Sequence, residues 1–155
     1  MKNNYTITND WDEDLKQLLE DEPSLYKINH WAVGVIIAYS EKPKSNKGKA
    51  VIANIERIPD LYRALTFADY IIVIHKPSLV GLSKDQVRIA MFEQLLKIKI
   101  EETTDGTDIK DLLLKGYDYE GFKEIIDKYG VDWDKPWSRQ MTLEDLQRDE
   151  EGAEA

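Results

Sequence analysis

Ser83-Lys84-Asp85-Gln86-Val87-Arg88-Ile89-Ala90-Met91-Phe92-Glu93-Gln94-Leu95-Leu96-Lys97-Ile98-Lys99-Ile100 is the stretch on which the fold turns. Ser83, with Gln86 three places on, forms a capping box, and the periodic pattern behind it predicts a helix reaching about Glu102. Advancing 100° per residue, Val87, Met91, Leu95 and Ile98 fall in one apolar stripe. Ile89, Phe92, Leu96 and Ile100 form a second, with Arg88 and Lys99 between them on one side and Glu93, Gln94 and Lys97 on the other. A helix with two apolar stripes has to be covered twice. A sheet covers one, and another part of the chain or a partner covers the other.

Working outward, Asp69-Tyr70-Ile71-Ile72-Val73-Ile74-His75 is apolar almost without a break, the pattern of a strand buried on both faces at the middle of a sheet. A second strand is read in Trp31 to Tyr39 and a third in Ala50 to Arg57. The turn between these two, Glu41 to Ala50, contains Lys42, Lys44, Lys47 and Lys49, and a hairpin is the simplest pairing. Asn9 or Asp10 caps a helix from Trp11 to about Asp21, which Pro23 closes. Asp60 to Leu65 reads as a short helix. Beyond the long helix come a polar loop at Thr103 to Thr107, a short helix from Asp108 to Lys115, and a helix from Tyr119 to Tyr129. Gly130 ends that last helix in the position that favours a left-handed residue. Val131 to Arg139, with Trp133 and Trp137 around Pro136, reads as a strap against the core, and a charged helix or frayed tail follows from Thr142. The domain reading is one α/β (α+β) unit over residues 1–140, with an acidic C-terminal helix or tail at 141–155. Its sheet has about three strands, with a long central helix and C-terminal helices.

Composition narrows the function classes. The 155 residues carry a net charge of −9, with 21 Lys and Arg against 30 Asp and Glu. Residues 1–40 hold 3 basic and 7 acidic groups, 41–100 hold 11 and 6, and 101–155 hold 7 and 17. Acidic ends repel phosphate, so direct nucleic-acid binding is not expected, although the lysine turn can meet an acidic partner. The chain has no cysteine, which removes disulfides, thiolate metal sites and cysteine nucleophiles together. No apolar run approaches the roughly 18 residues of a membrane helix, and the opening residues lack the apolar segment of a secretory signal. The expected location is the cytoplasm.

Several segments together resemble the phage metallopeptidases, a zincin-like family. They are Lys47-Gly48-Lys49 through Ala53-Asn54-Ile55-Glu56-Arg57-Ile58, Ala68 to Ile74, Leu82 to Arg88, and Leu114-Lys115-Gly116-Tyr117-Asp118-Tyr119-Glu120-Gly121-Phe122. The resemblance implies a small zincin-like domain. It also implies an H-E-x-x-H helix directly after the segment that matches Leu82 to Arg88, and a further histidine in a Gly-His-Asp segment. Two histidines one helical turn apart grip one zinc, and the glutamate beside the first activates the bound water. Here the matching positions read Phe92-Glu93-Gln94-Leu95-Leu96, and the downstream one is Tyr117. Phe92 and Leu96 offer no lone pair, Tyr117 alone is a weak oxygen donor, and Glu93 is left without a metal to serve. No metal or other cofactor is expected.

The only histidines are His30 and His75, and neither has the spacing of a metal site. His75 follows the central strand and reads first as a strand-end residue, as His30 does beside Trp31. Asp118 and Glu120 near Glu93 make a possible carboxylate group, although carboxylates at a helix start also answer the helix dipole. The vestigial positions Phe92, Glu93, Leu96 and Tyr117 thus carry no expected catalysis. The stripe Ile89, Phe92, Leu96 and Ile100 is either filled by Tyr117, Trp133 or Trp137, the favoured outcome, or left open as a groove for a partner. The leading functional expectation is a catalytically inactive phage or prophage protein that binds a host or phage protein, such as a host defence or nucleic-acid enzyme. The rivals are a hydrolase rebuilt around Glu93, Asp118 and His75, and an acidic mimic of nucleic acid.

Overall fold

The computed structural model describes residues 4–116, 123–130 and 132–134. The strand order of the main sheet is β1 (Tyr5–Thr8), β2 (Val35–Ser40), β6 (Tyr70–His75), β5 (Ala53–Arg57), so the sheet has four strands rather than about three. The apolar run at 70–75 takes an interior position, as its composition requires. Its partners differ from expectation. β2 runs parallel to β6 and β5 antiparallel to it, so the two strands expected to form a hairpin are separated by the third. Short β3 (Ser45–Asn46) and β4 (Lys49–Ala50) instead make their own two-stranded ribbon. Lys47 and Gly48 both take positive φ there, 51° and 77°, which is the geometry of a two-residue hairpin turn. β1 carries no sequence signal because its residues, three exposed and one half-buried, show no burial alternation; it pairs with β2 along an antiparallel ladder.

The first helices pack over one face of this sheet. α1 (Asp12–Asp21) buries Leu15 and Leu18. Its start has no side-chain cap. Asp12 N–H donates to the Asn9 carbonyl, while the Asp10 carboxylate accepts the Tyr39 hydroxyl, and acidic Asp12, Glu13 and Asp14 occupy the first turn. A one-turn 3-10 segment, Pro23–Leu25, leads into α2 (Tyr26–His30), a five-residue helix too short to show a periodic pattern in the sequence. The strand read from Trp31 begins only at Val35, after a turn in which Ala32 sits at φ 51°.

α3 (Asp60–Thr66) links β5 to β6, and α4 (Lys84–Leu95) is the long helix. The Ser83 capping box is present: Gln86 N–H donates to Ser83 Oγ, and Ser83 N–H donates to Gln86 Oε1. The helix stops at Leu95, short of Glu102. Ile98–Glu102 is strand β7, and Ile109–Leu114, expected as a helix, is β8, its antiparallel partner. The alternation Ile98-Lys99-Ile100-Glu101 satisfies a period of two as well as it satisfies a helical stripe, and pairing with β8 decided between them. Asp105-Gly106 makes the turn: Asp105 accepts from Thr103 Oγ1, Thr107 Oγ1 and Thr107 N–H, and Gly106 is at φ 71°. α5 (Lys123–Tyr129) follows, ended by Gly130 at φ 86° as expected. The start expected for that helix at Tyr119, the Trp137 end of the strap and residues 141–155 lie outside the described residues. Among the described residues no helix is long and apolar enough to cross a membrane.

Candidate functional site

The site to examine is the second stripe of α4, where the resemblance places the family's zinc ligands. Phe92 is 0% exposed. Ile89 and Leu96 are also buried, whereas Ile100, now on β7, is half-buried. The stripe therefore holds together as a helical face only from Ile89 to Leu96. At Ile89 and Phe92 it is core and not an open groove.

α5 supplies the cover. Lys128 Nζ stands 5.7 Å from the Phe92 ring centroid and donates to Glu22 Oε1 at 2.8 Å, which ties α5 to the end of α1. Ser24 Oγ donates to Glu124 Oε1 at 2.9 Å one turn earlier. Between these ties Ile125 is fully buried and joins the core cluster that contains Phe92. The hydrogen bond from Lys128 to Glu22 holds the ammonium above its ordinary pKa, so it stays charged over the ring, where the π face attracts it. Trp133 is buried in the same core cluster, and its carbonyl accepts from Nε2 of fully buried Gln86 at 3.0 Å, which ties it to the start of α4. Tyr117 and Trp137 lie outside the described residues.

Among the described residues, Glu93 accepts from Gln94 Nε2 at 3.3 Å and faces Lys97, one helical turn on. Burial first, and Lys44 second, push the Lys97 ammonium down, while the Glu93 carboxylate opposes that shift. Leu96 and Ile100 border a half-open depression of about 320 Å³ between α2, β7 and α5, whose other walls include Lys27, Lys99, Lys115 and Glu124.

The structure does not bring His75 to Glu93. Strand alternation puts Tyr70, Ile72 and Ile74 on the face that shares a core cluster with α4, so His75 belongs with Ile71 and Val73 on the other face. Its Nε2 donates to Asn54 Oδ1 at 2.6 Å, and Ser40 is its neighbour across the parallel ladder. Burial, and then the Lys44 cation, hold the imidazole below its ordinary pKa. His30 stacks on Tyr26 and meets Trp31 edge-on, a surface aromatic cluster. Asp118 and Glu120 lie outside the described residues. The basic residues 42, 44, 47 and 49 are all exposed, the first two ahead of the β3–β4 ribbon and the other two within it, and Lys49 is paired with Asp134.

These residues can be tested against the zinc that a metallopeptidase fold implies. Two of the three matching positions present carbon to the protein interior, and among the described residues no three His, Cys, Asp or Glu side chains group as a cation site. The donor set does not fit the metal, and no catalytic step is derived through one.

An α4 buried along both apolar stripes, a capping box at its start and a central strand at 70–75 are features carried by the segments that suggested a family. Comparison with known proteins bears on the same point. No curated protein and no solved structure matches the chain significantly. Residues 3–143, by contrast, match the family described as putative phage metallopeptidase. The match spans nearly the whole chain, and the protein belongs to that family.

Proposed function

We propose that this chain is a non-catalytic member of the phage metallopeptidase family, acting in the host cytoplasm by binding another protein. The observation that carries the reading is Phe92: a fully buried phenyl ring stands where the family resemblance calls for a zinc-binding imidazole, and α5 is fastened over it by Lys128–Glu22 and Ser24–Glu124. A hydrolytic zinc site needs donors with lone pairs and an open coordination position, and neither is compatible with a sealed aromatic core. Glu93, which would act as base beside a metal, faces a lysine instead.

A framework kept without its electrophile retains its surface as its means of action. The net charge of −9 and the phage-type family favour a host protein as partner, a defence or nucleic-acid enzyme being the class that an acidic inhibitor suits. On the face once expected to bind, the margin still open to a partner is the depression bordered by Leu96 and Ile100. The separation of His75 from α4 by the sheet counts against a hydrolase rebuilt from Glu93, Asp118 and His75.

Two measurements on the purified chain test this reading. Metal analysis after exposure to zinc is expected to find well under one zinc per chain, and a peptide library is expected to remain uncleaved by both the native chain and Glu93→Gln. One tightly held zinc per chain, or cleavage that vanishes in Glu93→Gln while the fold stays intact, would overturn it.

A further inference from the structure

α3 and the residue after it carry apolar surface that the core does not use. No residue of α3 is buried: Leu61 is 73% exposed, Tyr62 55% and Leu65 71%. Phe67, next along the chain, is 90% exposed. At 100° per residue Leu61 and Leu65 share one face, with Tyr62 on one flank and Ala64 on the other, while Asp60 and Arg63 fall outside it. Those charges are satisfied within the chain. Asp60 Oδ1 accepts from Arg57 Nη2 at 3.0 Å and from Arg63 Nη1 at 3.2 Å, and Arg63 Nε donates to Asp69 Oδ1 at 2.8 Å. The ridge is apolar and electrically quiet on a chain of net charge −9.

Phe67 is an independent observation. It holds φ 56° at the end of α3, a left-handed position that suits glycine, and the ring gains no burial in exchange. Its neighbours impose the conformation. Gly34 N–H donates to Asp69 Oδ2 at 2.8 Å, Asp69 N–H donates to the Gly34 carbonyl, and a Cβ on Gly34 would stand 2.8 Å from the Phe67 carbonyl oxygen. Strain fixed by its surroundings, with an aromatic ring presented to solvent, marks a place where the ring is used.

We propose that α3 and Phe67 form a dimerisation surface occupied by the same surface of a second copy, the two helices antiparallel about a two-fold axis near Arg63. Leu61 of each copy then packs on Leu65 of the other. The Tyr62 rings meet on one flank, paired Ala64 methyls allow close backbone approach on the other, and each Phe67 reaches the Pro59 end of its mate. The area argues for a second copy. The four exposed side chains offer roughly 500 Å² of apolar surface, taking 150–250 Å² for an aromatic ring. With the polar rim of an ordinary interface, a little over half of which is apolar, this gives about 800–900 Å² per partner, the standard size. Charge argues the same way. The ridge has no unpaired charge with which to select a charged partner, and none that a copy of itself would repel at contact. The remaining long-range repulsion between two acidic chains predicts a dimer that tightens as salt rises.

Sedimentation velocity of the full chain, from about 1 µM to about 1 mM, tests the proposal. The native chain is expected to show a concentration-dependent dimer. Leu65→Glu and Phe67→Gly should each raise its dissociation constant about thirtyfold or more. Phe67→Gly guards against misreading a folding defect, because glycine accepts φ 56° and the variant should melt no lower than the native chain. A native chain that stays monomeric throughout would overturn the proposal and leave the ridge to a different protein or to residues 135–155. A dimer that survives both substitutions would overturn it as well.

Discussion

Truncating Phe92 to alanine measures directly whether the position that the resemblance matches to a zinc ligand is core. The native ring is 0% exposed and lies under Lys128 within the cluster that includes Ile125. Removing a fully buried phenyl ring forfeits its transfer free energy and leaves a cavity that α5, fastened at Glu22 and Ser24, is not free to fill. The expected loss is about 3–5 kcal/mol. Against a typical total of 5–15 kcal/mol this is a large share. With a urea slope of about 2 kcal/mol/M, the unfolding midpoint should fall by roughly 1.5–2.5 M. Equilibrium urea unfolding followed by tryptophan fluorescence is the assay, with Ile100→Ala as control. That half-buried residue at the edge of the depression should cost about 1 kcal/mol, well below a full core truncation. Phe92→His should cost at least as much as the alanine, because it buries a polar ring beside a lysine, and added zinc should not restore the loss. A Phe92→Ala cost below about 1 kcal/mol would refute the reasoning, since a side chain so cheaply removed is not sealed in the core.

Three other expectations follow from the geometry. Gly34→Ala should destabilise by about 1–3 kcal/mol in thermal unfolding, because its Cβ would meet backbone at 2.8 and 3.0 Å, at the Phe67 carbonyl oxygen and Ala68 Cα, where no flexible side chain can yield. His75 is held below the ordinary imidazole pKa of 6.5 by burial. The unfolded chain therefore binds the extra proton first, and stability should decline as pH falls below about 6.5, while above that value this group contributes no slope. The component should vanish in His75→Gln, as read from denaturant midpoints between about pH 7 and pH 5, above the range where the lowered carboxyls of Asp60, Glu102 and Asp105 titrate. Asp105→Ala removes the acceptor of three hydrogen bonds in the β7–β8 turn and should loosen it locally, read as faster amide exchange confined to 98–114.

Several features were legible in the sequence because a few adjacent residues decide them. Ser83 and Gln86 close a capping box whatever the rest of the chain does, Gly130 accepts the left-handed position after α5, and the unbroken apolar run at 70–75 has few alternatives to an interior strand. The lack of a donor atom at Phe92 and Leu96 is equally plain, since no fold gives a phenyl or isobutyl group a lone pair. The role of Phe92 as filled core was favoured on the same grounds, but the identity of its cover was not, because Lys128 and Ile125 reach it from more than thirty positions away.

The sequence by itself determined the composition of each layer: which residues needed burial, where α4 begins, and that Phe92 and Leu96 offer a metal no donor atom. Only the tertiary structure decided which strands are neighbours and what Ile98 to Leu114 becomes. Hydrogen-bond partners across a sheet are chosen by contacts distant along the chain, so β6 could separate β2 from β5, and pairing with β8 could convert a helical stripe into a strand. It also decided what is left outside. Leu61, Leu65 and Phe67 are as apolar as the core residues, and their exposure accompanies the Gly34–Asp69–Arg63 bonds that tie the opposite side of α3 to the body, a geometry no local pattern encodes.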